Sequence, residues 1–517
     1  MTFEIVFVLL SLLGMMAALI ADKMRPGMVL FSVVVLFLCV GILTPKEMLE
    51  GFSNKGMITV ALLFLVSEGI RQSGTLGQVI KKLLPQGKTT VFKAQLRILP
   101  SVAFISAFLN NTPVVVIFAP IIKHWAKSVK LPATKFLIPL SYVTILGGIC
   151  TLIGTSTNLV VHGMILEAGY EGFTMFELGK VGIFIAIAGI IYLFIFSKRL
   201  LPDARPDTAV PDEEVEEGEK LHRVEAVLGA RFPGINKKLS DFNFQRHYGA
   251  EVKEIKTRNG QRYVDHLEDV VLREGDTLVV MADDTFIPTW GESSVFVLLT
   301  NGNDPDTSGK KKRWLALILL VLMIVGATVG ELPATKEMFP DIKLDMFFFV
   351  CTTTIIMAWT NIFPARKYTK YISWDILITI ACAFAISKAM VNSGVADCVA
   401  GFIIGLSDDY GPHVLLAILF VITNLFTELI TNNAAAALAF PLALSISAQL
   451  GVSPTPFFVV ICMAASASFS TPIGYQTNLI VQGIGNYKFT DFVRIGLPLN
   501  IITFLISVIL IPLIWNF

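Results

Sequence analysis

Charged side chains are scarce in this sequence of 517 residues, and their scarcity excludes a soluble protein. Asp, Glu, Lys and Arg make up 16% of the chain, whereas a soluble domain carries about 25%. Hydrophobic residues reach 54%, and the mean hydropathy is +0.69. An excess of one charge sign is also lacking, because 41 basic residues face 40 acidic ones, so no surface for nucleic acid is indicated. The composition predicts a polytopic membrane protein.

Cysteines and catalytic motifs are equally few. No P-loop is present, which argues against ATP-driven transport. The apolar runs contain no His-Glu-x-x-His motif and no credible Ser/Lys or Asp pair, so an intramembrane enzyme is not favoured. The cysteines lie inside apolar runs, where we expect small buried side chains rather than disulfides or a zinc site. They are Cys39, Cys150, Cys351, Cys382, Cys398 and Cys462.

Long apolar runs define the membrane spans. A bilayer core of about 30 Å needs roughly 20 apolar residues in a helix. The first run is interpreted as a span rather than a signal peptide, because Glu4 stands where a signal peptide is basic. The predicted spans are 3–21, 26–43, 56–70, 135–166 (broken), 178–197, 314–330, 344–361, 372–388, 456–485 (broken) and 492–516.

Two further apolar stretches, 98–122 and 412–449, are each interrupted by polar residues. The first is broken by Asn-Asn-Thr-Pro starting at Asn110, and the second by Thr-Asn-Asn starting at Thr431. Each predicts a re-entrant hairpin, in which two half-helices meet at a polar tip; an ordinary kinked helix is the alternative. Irregular backbone at membrane depth is tolerated where it is buried in protein or lines a cavity.

The basic residues predict the orientation in the membrane. Segments 71–97 and 123–135 are rich in Lys and Arg, so both flanks of the first hairpin are expected in the cytoplasm. Segment 389–413 has no Lys or Arg, which predicts that the second hairpin opens to the outside. Counting spans then places 198–313 in the cytoplasm and both termini outside, in the plasma (inner) membrane.

Residues 201–313 differ in composition from the rest of the chain. An acidic linker at 212–217 is followed by turn signals and by short β-type runs at 224–228, 277–281 and 295–299, which predict a compact α+β domain at about 221–300. Four basic residues at 310–313 are expected to anchor the next helix at the cytoplasmic face. The pattern at 267–280 resembles the C-terminal regulatory domain of potassium-uptake subunits (TrkA-C type). Three roles of this domain stay open: binding a regulatory ligand, stabilising a dimer, or tethering the two membrane halves.

The two membrane halves, 1–200 and 314–517, share an internal repeat at a separation of about 320 residues. Gly154–Gly163 returns as Gly474–Gly483, and the two hairpin tips match with one residue of slippage. Each half has five spans, an odd number, so the repeats are expected to be inverted. The predicted fold class is an all-α polytopic membrane protein with two inverted-topology repeats of five spans and one re-entrant hairpin each, plus a small α+β cytoplasmic insert.

Inverted repeats with broken helices are typical of secondary transporters. Hairpin tips and helix breaks leave N–H groups that attract an anion, and they free carbonyl oxygens that suit Na⁺. Coupling to protons would instead require titratable groups in the spans, such as Glu428, Glu68 or His162. Glu428 is equally suited to ordering the second tip and to neutralising a cation. Sodium is the favoured coupling ion.

These motifs resemble the divalent anion:sodium symporters, solute carrier family 13, within the ion-transporter superfamily. The resemblance covers both membrane halves and implies a homodimer that moves a transport domain against a fixed scaffold. It also implies two sodium sites, one per repeat. The implied sodium ligands are Ser106, Asn110, Asn111 and Gly154 in the first site, and Thr427, Ile430, Asn432 and Gly474 in the second.

The resemblance implies a substrate site between the two tips. Family dicarboxylate transporters have a proline after each glycine break, whereas this chain has the polar triplets Thr155–Thr157 and Tyr475–Thr477. Added hydrogen-bond donors favour a small tetrahedral oxyanion. The expected substrate contacts are Asn110, Asn111, Thr112, Ser156, Thr431, Asn432, Asn433 and Gln476.

The sequence therefore predicts Na⁺-coupled symport of a divalent anion, sulfate first and a C4-dicarboxylate or citrate second. A different class, an ion channel gated by the cytoplasmic domain, is the alternative, because TrkA-C type modules serve potassium systems. A selectivity-filter sequence such as Thr-Val-Gly-Tyr-Gly is absent, which argues against that alternative.

Overall fold

A computed structural model describes the chain except for a few short segments. Helices form the two membrane halves, and the described strands lie in the insert between them. The acidic linker predicted at 212–217 lies outside the described residues. The structure covers residues 3–21, 24–85, 87–203, 222–229, 231–257, 261–283, 286, 290, 295–300, 310–339, 341–406 and 411–517.

The first membrane half consists of apolar helices whose ends carry recognisable cap residues. The helix that starts at Pro26 has proline where the first N–H is unpaired anyway, and it ends at Gly41 with a φ of 83°. The helices are α1 (Phe3–Ala21), α2 (Pro26–Val40), α3 (Pro45–Glu50), α4 (Lys55–Gln72), α5 (Thr75–Leu83), α6 (Val91–Ser106), α7 (Asn111–Ser128), α8 (Leu137–Gly148), α9 (Ser156–Glu167) and α10 (Gly179–Leu200).

The insert follows α10 and carries an antiparallel sheet. In its described part the strand order is β3-β2-β4-β1-β5, and Val224 of β1 pairs with Val280 of β4. Phe232, Tyr248 and Phe296 form an aromatic core on one face. The elements are β1 (His222–Leu228), α11 (Phe244–Tyr248), β2 (Glu251–Lys256), β3 (Arg262–Tyr263), β4 (Thr277–Ala282) and β5 (Phe296–Thr300).

The second membrane half repeats the order of the first. The basic residues predicted as an anchor form the first turn of its first helix. The helices are α12 (Lys310–Gly330), α13 (Pro333–Met338), α14 (Met346–Trp359), α15 (Tyr368–Tyr371), α16 (Trp374–Asn392), α17 (Val395–Leu406), α18 (Gly411–Leu429), α19 (Asn432–Leu450), α20 (Thr455–Ser466), α21 (Gln476–Gly485) and α22 (Phe489–Ile514).

Packing between the halves is reciprocal. α2 packs on α16 while α4 packs on α14, which are the matching helices of the opposite half. In the same way α7 packs on α21 while α9 packs on α19, and α10 packs on its own counterpart α22. Reciprocal contacts are those of a pseudo-two-fold axis. With an odd number of spans in each half, the two repeats are inverted, and the predicted fold class is confirmed.

Several helices differ in length from the predicted spans. In the described residues, eight helical segments are long and apolar enough to cross a membrane, and the halves of the broken helices are shorter. The spans predicted at 26–43 and 344–361 are helices of 15 and 14 residues. Left-handed residues at Gly41 and Asn361 follow these helices and end them early. The segment 71–97 also contains the amphipathic helix α5, which was not predicted.

The insert docks on the first membrane half through a partly buried ion pair. Glu225 of β1 lies 2.9 Å from the ammonium group of Lys123 in α7 and 3.5 Å from that of Lys256. Burial alone would raise the pKa of Glu225, but the two ammonium groups lower it to about 2. Val227 on the same strand joins the hydrophobic core of the membrane helices. The insert is therefore attached to an arm of the first hairpin.

Candidate functional site

Each hairpin tip is a short turn between two helices. In the first, α6 ends at Ser106 and α7 begins at Asn111. Pro113 stands in the first turn of α7, where its missing N–H costs no helical hydrogen bond. In the second, α18 ends at Leu429 and α19 begins at Asn432. The polar interruptions seen in the sequence therefore coincide with the two tips.

Glycine lies where each broken helix passes close to another part of the backbone. A Cβ on Gly154, between α8 and α9, would lie 2.5 Å from the carbonyl oxygen of Gly148. A Cβ on Gly474, between α20 and α21, would lie 2.5 Å from the carbonyl oxygen of Thr427. The missing side chains let backbone carbonyl oxygens gather beside both tips.

A threonine hydroxyl ties each tip to its helix break. Thr151 donates to the carbonyl oxygen of Ala107 at the first tip. Thr471, its repeat mate, donates to the carbonyl oxygen of Glu428 at the second tip, at 3.1 Å. Both hydroxyls also accept from the N–H of the break glycine, at 3.2 and 3.3 Å. The two halves thus hold tip and break together in the same way.

Two oxygen-rich cages result from this arrangement. In the first, the hydroxyl of Ser106 donates to Oδ1 of Asn111 at 2.8 Å. In the second, the hydroxyl of Thr427 lies 3.0 Å from Oδ1 of Asn432 and 2.6 Å from the carbonyl oxygen of Ala465. All four side chains are buried. The described residues contain no group of three or more His, Cys, Asp or Glu that could hold a metal. Neutral oxygens suit a hard monovalent cation.

Four helices of the described chain begin between the cages: α7, α9, α19 and α21. Their N-cap residues are Asn110, Thr155, Thr431 and Tyr475. Within the described chain, none of these four side chains accepts a hydrogen bond from the N–H groups of its own helix. The unpaired N–H groups and the positive dipole ends of four helices therefore meet in one place.

The two repeats contact each other through reciprocal polar pairs at this point. Thr112 of the first tip donates to Oε1 of Gln476 at 3.2 Å. The matching residues exchange roles, because Ser156 donates to Oδ1 of Asn433 at 3.2 Å. Thr157 also reaches Oδ1 of Asn433, at 3.3 Å. Each tip therefore faces the helix start of the opposite repeat.

Tyr475 is a position at which the two repeats differ, because the first repeat has a threonine, Thr155, in its place. Its ring is buried, and its hydroxyl accepts a hydrogen bond from Nδ2 of Asn111. The same hydroxyl lies 3.1 Å from the hydroxyl of Thr155, its repeat mate, and the side chain of Asn432 lies within hydrogen-bonding reach of it. The central asparagines of both tips thus face one phenol.

The residues predicted from the sequence fall in these features, and their roles remain predictions. Asn110 and Ser156 line a small cavity together with Ser67. The hydroxyl of Thr431 is buried and has no hydrogen-bond partner among the described residues. Ile430 is buried beside the second tip. The other predicted residues lie in the cages and reciprocal pairs described above.

Sequence reasoning missed four residues that shape the site. Besides Thr151 and Thr471, the side chains of Asn158 and Asn478 donate to the carbonyl oxygens of these threonines, at 2.9 and 3.1 Å. The repeat offset of about 320 residues, applied to every polar residue of the breaks, would have identified all four. Tyr475 was predicted only as one of the added donors near the substrate, and its contact with the first tip was missed.

The carboxylates considered for proton coupling have fixed partners. Glu428 accepts from the N–H of Ser470 at 2.9 Å and from Nδ2 of Asn500 at 2.7 Å. It therefore orders the second break. Glu68 forms an ion pair with Arg71 at 2.6 Å. Both carboxylates are hydrogen-bonded within the protein.

A cavity connects the site with the insert. Its volume is about 620 Å³, and Gln476 lies in its wall. The first membrane half contributes Arg25 and the second contributes Trp374. The insert contributes Arg231 and Glu274. Gln476 itself is exposed. In this conformation Gln476, at the edge of the polar center, is accessible from the side on which the insert lies.

Known proteins are similar in sequence to this chain over half of its length or more. The profile of the citrate transporter family (CitMHS) matches residues 16–447 and 338–517. An uncharacterized transporter of Synechocystis sp. is 29% identical over 94% of this chain and 93% of its own. A putative sulfur deprivation response regulator of Chlamydomonas reinhardtii is 28% identical over 93% of this chain and 96% of its own. A probable sodium/sulfate cotransporter of the same organism is 32% identical over 54% of this chain and 31% of its own.

Proposed function

The chain belongs to the citrate transporter family (CitMHS), and we propose that it is a sodium-coupled symporter of a small divalent anion, with sulfate as the first candidate. The anion binds between the two hairpin tips, and one sodium ion binds in each cage. Both ions are transported substrates. The oxygen cages and the anion site lie next to each other, so each bound charge stabilises the other.

The meeting of four helix N-termini is the observation that carries this proposal. N–H groups and helix dipoles stabilise an anion without a cationic side chain at the tips. The hydroxyl groups of Thr112 and Ser156 supply further donors at the same place. A tetrahedral oxyanion accepts hydrogen bonds in all directions, which matches donors arriving from both repeats. One similar protein is named as a probable sodium/sulfate cotransporter.

Sodium is the proposed coupling ion because the cages contain neutral oxygens. A bound Na⁺ can be held by the side chains of Ser106 and Asn111 in one cage and of Thr427 and Asn432 in the other. Proton coupling would need a titratable group that is free to exchange its proton at the site. Glu428 instead accepts hydrogen bonds that order the second break.

Alternating access follows from the repeat architecture. Inverted repeats exchange conformations, so a site open to one side has a counterpart open to the other. We further propose that the insert is cytoplasmic, that the protein forms a homodimer in the plasma membrane, and that the TrkA-C-like insert binds a regulatory ligand. The cavity beside Gln476 is then the route to the cytoplasm.

Citrate or a C4-dicarboxylate is the second candidate substrate. The observation that favours it is the family itself, which is described as citrate transporters. A carboxylate group presents oxygens similar to those of sulfate, and the same helix N-termini would bind it. The two candidates differ in length, so competition experiments separate them.

Uptake of radiolabelled sulfate into proteoliposomes tests the proposal. We expect uptake to require an inward Na⁺ gradient and to resist excess unlabelled citrate or succinate. Asn111→Ala and Asn432→Ala are each expected to reduce uptake at least about tenfold, because each removes a cage oxygen. Sodium-driven citrate or succinate flux without sulfate flux would replace sulfate by the second candidate. Uptake driven by a pH gradient alone, or a conductive flux, would overturn sodium symport.

A further inference from the structure

We infer that the hydroxyl group of Tyr475 couples the two cation cages, so that sodium binding in one raises the affinity of the other. This inference rests on the proposed function, because it takes the cages to be sodium sites. It adds a residue whose role is to position the ligands of both cages without being a ligand itself.

The hydroxyl lies between the central asparagines of the two tips. Asn111 donates from Nδ2 to the phenol oxygen, and its Oδ1 faces the hydroxyl of Ser106 in the first cage. The side chain of Asn432 lies within hydrogen-bonding reach of the same phenol, and its Oδ1 faces the hydroxyl of Thr427 in the second cage. Each amide therefore has its oxygen in a cage and its NH₂ group available for the phenol.

The hydrogen-bonding capacity of a phenol matches this role. A tyrosine hydroxyl accepts through its lone pairs and donates one hydrogen. Here Asn111 donates to it, the amide of Asn432 is placed to donate as well, and the phenol's own hydrogen can then go to the hydroxyl of Thr155, 3.1 Å away. All positions are then filled by groups that belong to one of the two tips or breaks. Rotation of either amide would break a bond in this buried set.

Sodium in the first cage requires the oxygen of Asn111 to point into that cage. Because the amide is planar, its NH₂ group is then fixed toward Tyr475. The phenol, held in place by this bond, favours the orientation of Asn432 in which its oxygen points into the second cage. Binding of the first ion therefore prepares the ligands of the second, which is positive coupling between two sites.

The repeat symmetry alone does not produce this link. The repeat mate of Tyr475 is Thr155, whose side chain is too short to span from its own break to the opposite tip. One residue of the second repeat therefore reaches both cages. Its neighbour Gln476 is paired with Thr112, so the same segment also contacts the proposed anion site.

The test compares the sodium dependence of Tyr475→Phe with that of the wild type. Thermal unfolding of the purified protein over a range of Na⁺ concentrations reports binding without transport, and sulfate uptake reports coupling. We expect a Hill coefficient near 2 in the wild type and about 1 in Tyr475→Phe, with a half-saturating Na⁺ concentration raised about fivefold or more. Tyr192→Phe is the matched control, because its buried hydroxyl donates to Ile495 at 2.9 Å, away from the cages.

The outcomes separate this inference from the proposed function. Sodium cooperativity lost in Tyr475→Phe but kept in Tyr192→Phe supports the coupling, even if the anion proves to be citrate. An unchanged Hill coefficient in Tyr475→Phe overturns it. A wild-type protein that Na⁺ does not stabilise overturns both proposals. If Tyr475→Phe does not fold, Tyr475→Met keeps the apolar volume on a flexible side chain and serves as the second variant.

Discussion

At the scale of single residues, the site depends on two glycines that lack a Cβ atom. Gly154 and Gly474 lie at the same place in the two repeats, and both let a helix break approach the backbone of the adjoining hairpin or helix. The carbonyl oxygens that come close there are hydrogen-bond acceptors that an unbroken helix would use within itself. A cation can use these oxygens because no Cβ separates them.

Replacing either glycine by alanine is expected to impair transport. The added Cβ of Gly154→Ala or Gly474→Ala would lie 2.5 Å from a backbone carbonyl oxygen, so the break must shift, at a cost of about 1–3 kcal/mol. We expect weaker Na⁺ dependence of uptake and a lower melting temperature. Gly401→Ala is the control, since its Cβ would lie 3.7 Å from the nearest atom, the side chain of Gln449. Equal transport by all three variants would contradict the cage geometry.

The sequence identified many of these residues because polar side chains within apolar runs stand out. Asn111 and Asn432 stand out in this way, and the family resemblance implied that they are ligands; the structure places each beside a hydroxyl of the preceding helix. The role of Tyr475 was not predictable, because its partners lie in both repeats and depend on how the halves pack. A pattern read along one chain segment does not contain that information.

At the scale of elements, the sheet of the insert is attached to a helix of the first hairpin. Glu225 of β1 is 19% exposed and Lys123 of α7 is 12% exposed, so the ion pair between them is mostly shielded from water. Breaking such a pair by removing one partner leaves a buried charge uncompensated. The position of α7 and that of the insert are therefore linked.

Glu225→Gln is expected to loosen the insert and to lower stability by about 3 kcal/mol, because Lys123 and Lys256 lose their carboxylate partner. Hydrogen–deuterium exchange in β1 and thermal unfolding would measure the effect. Glu251→Gln is the control, since its pair with Lys253 is 53% exposed on both sides and contributes little. Similar exchange in the two variants would show that the pair does not hold the insert.

The same ion pair predicts how docking depends on pH. The pKa of Glu225 is lowered from 4.5 to about 2, so its stabilising contribution is present above pH 4.5 and is lost as the pH falls toward 2. The difference in melting temperature between the wild type and Glu225→Gln should stay constant from about pH 7 to pH 5 and shrink below pH 4.5.

Elements with unusual composition were the hardest to predict. The strand β2 contains two Glu and two Lys residues and lies outside the predicted β-type runs, yet Glu254 and Lys256 are buried in it. Arg262 of β3 pairs with Glu254 at 2.5 Å, and such mutual neutralisation is invisible in the sequence. The apolar strands β1, β4 and β5 were predicted almost to the residue.

At the scale of the whole molecule, the fold was predictable because the chain contains the same pattern twice. The family resemblance and the polytopic helical fold are confirmed. The inverted relation follows from counting spans, and the structure adds the reciprocal packing of the halves. The cavity beside Gln476 was not predictable, because it is bounded by the insert and the membrane helices together.

This cavity predicts which residues react from the insert side. A cysteine at Gln476 is expected to be labelled by a membrane-impermeant thiol reagent applied to that side, above the background of the six native cysteines. A cysteine at Thr477, which is fully buried on the same helix, is the control and should stay unlabelled. Saturating Na⁺ and substrate should slow the labelling of Gln476→Cys. Equal labelling at both positions would contradict the described access route.

The ion pair between Glu225 and Lys123 also bears on the order of biosynthesis. The insert lies between the repeats in the chain, and its partner helix α7 belongs to the first repeat, so both are made before α12. The insert can therefore fold and dock while the second repeat is still being synthesised. By contrast a Cβ added at Gly275 would lie 3.5 Å from the side chain of Leu479, so this turn of the insert also lies beside α21, which is made much later. The surface on which the insert docks would thus stay incomplete in each nascent chain until the second repeat has been made.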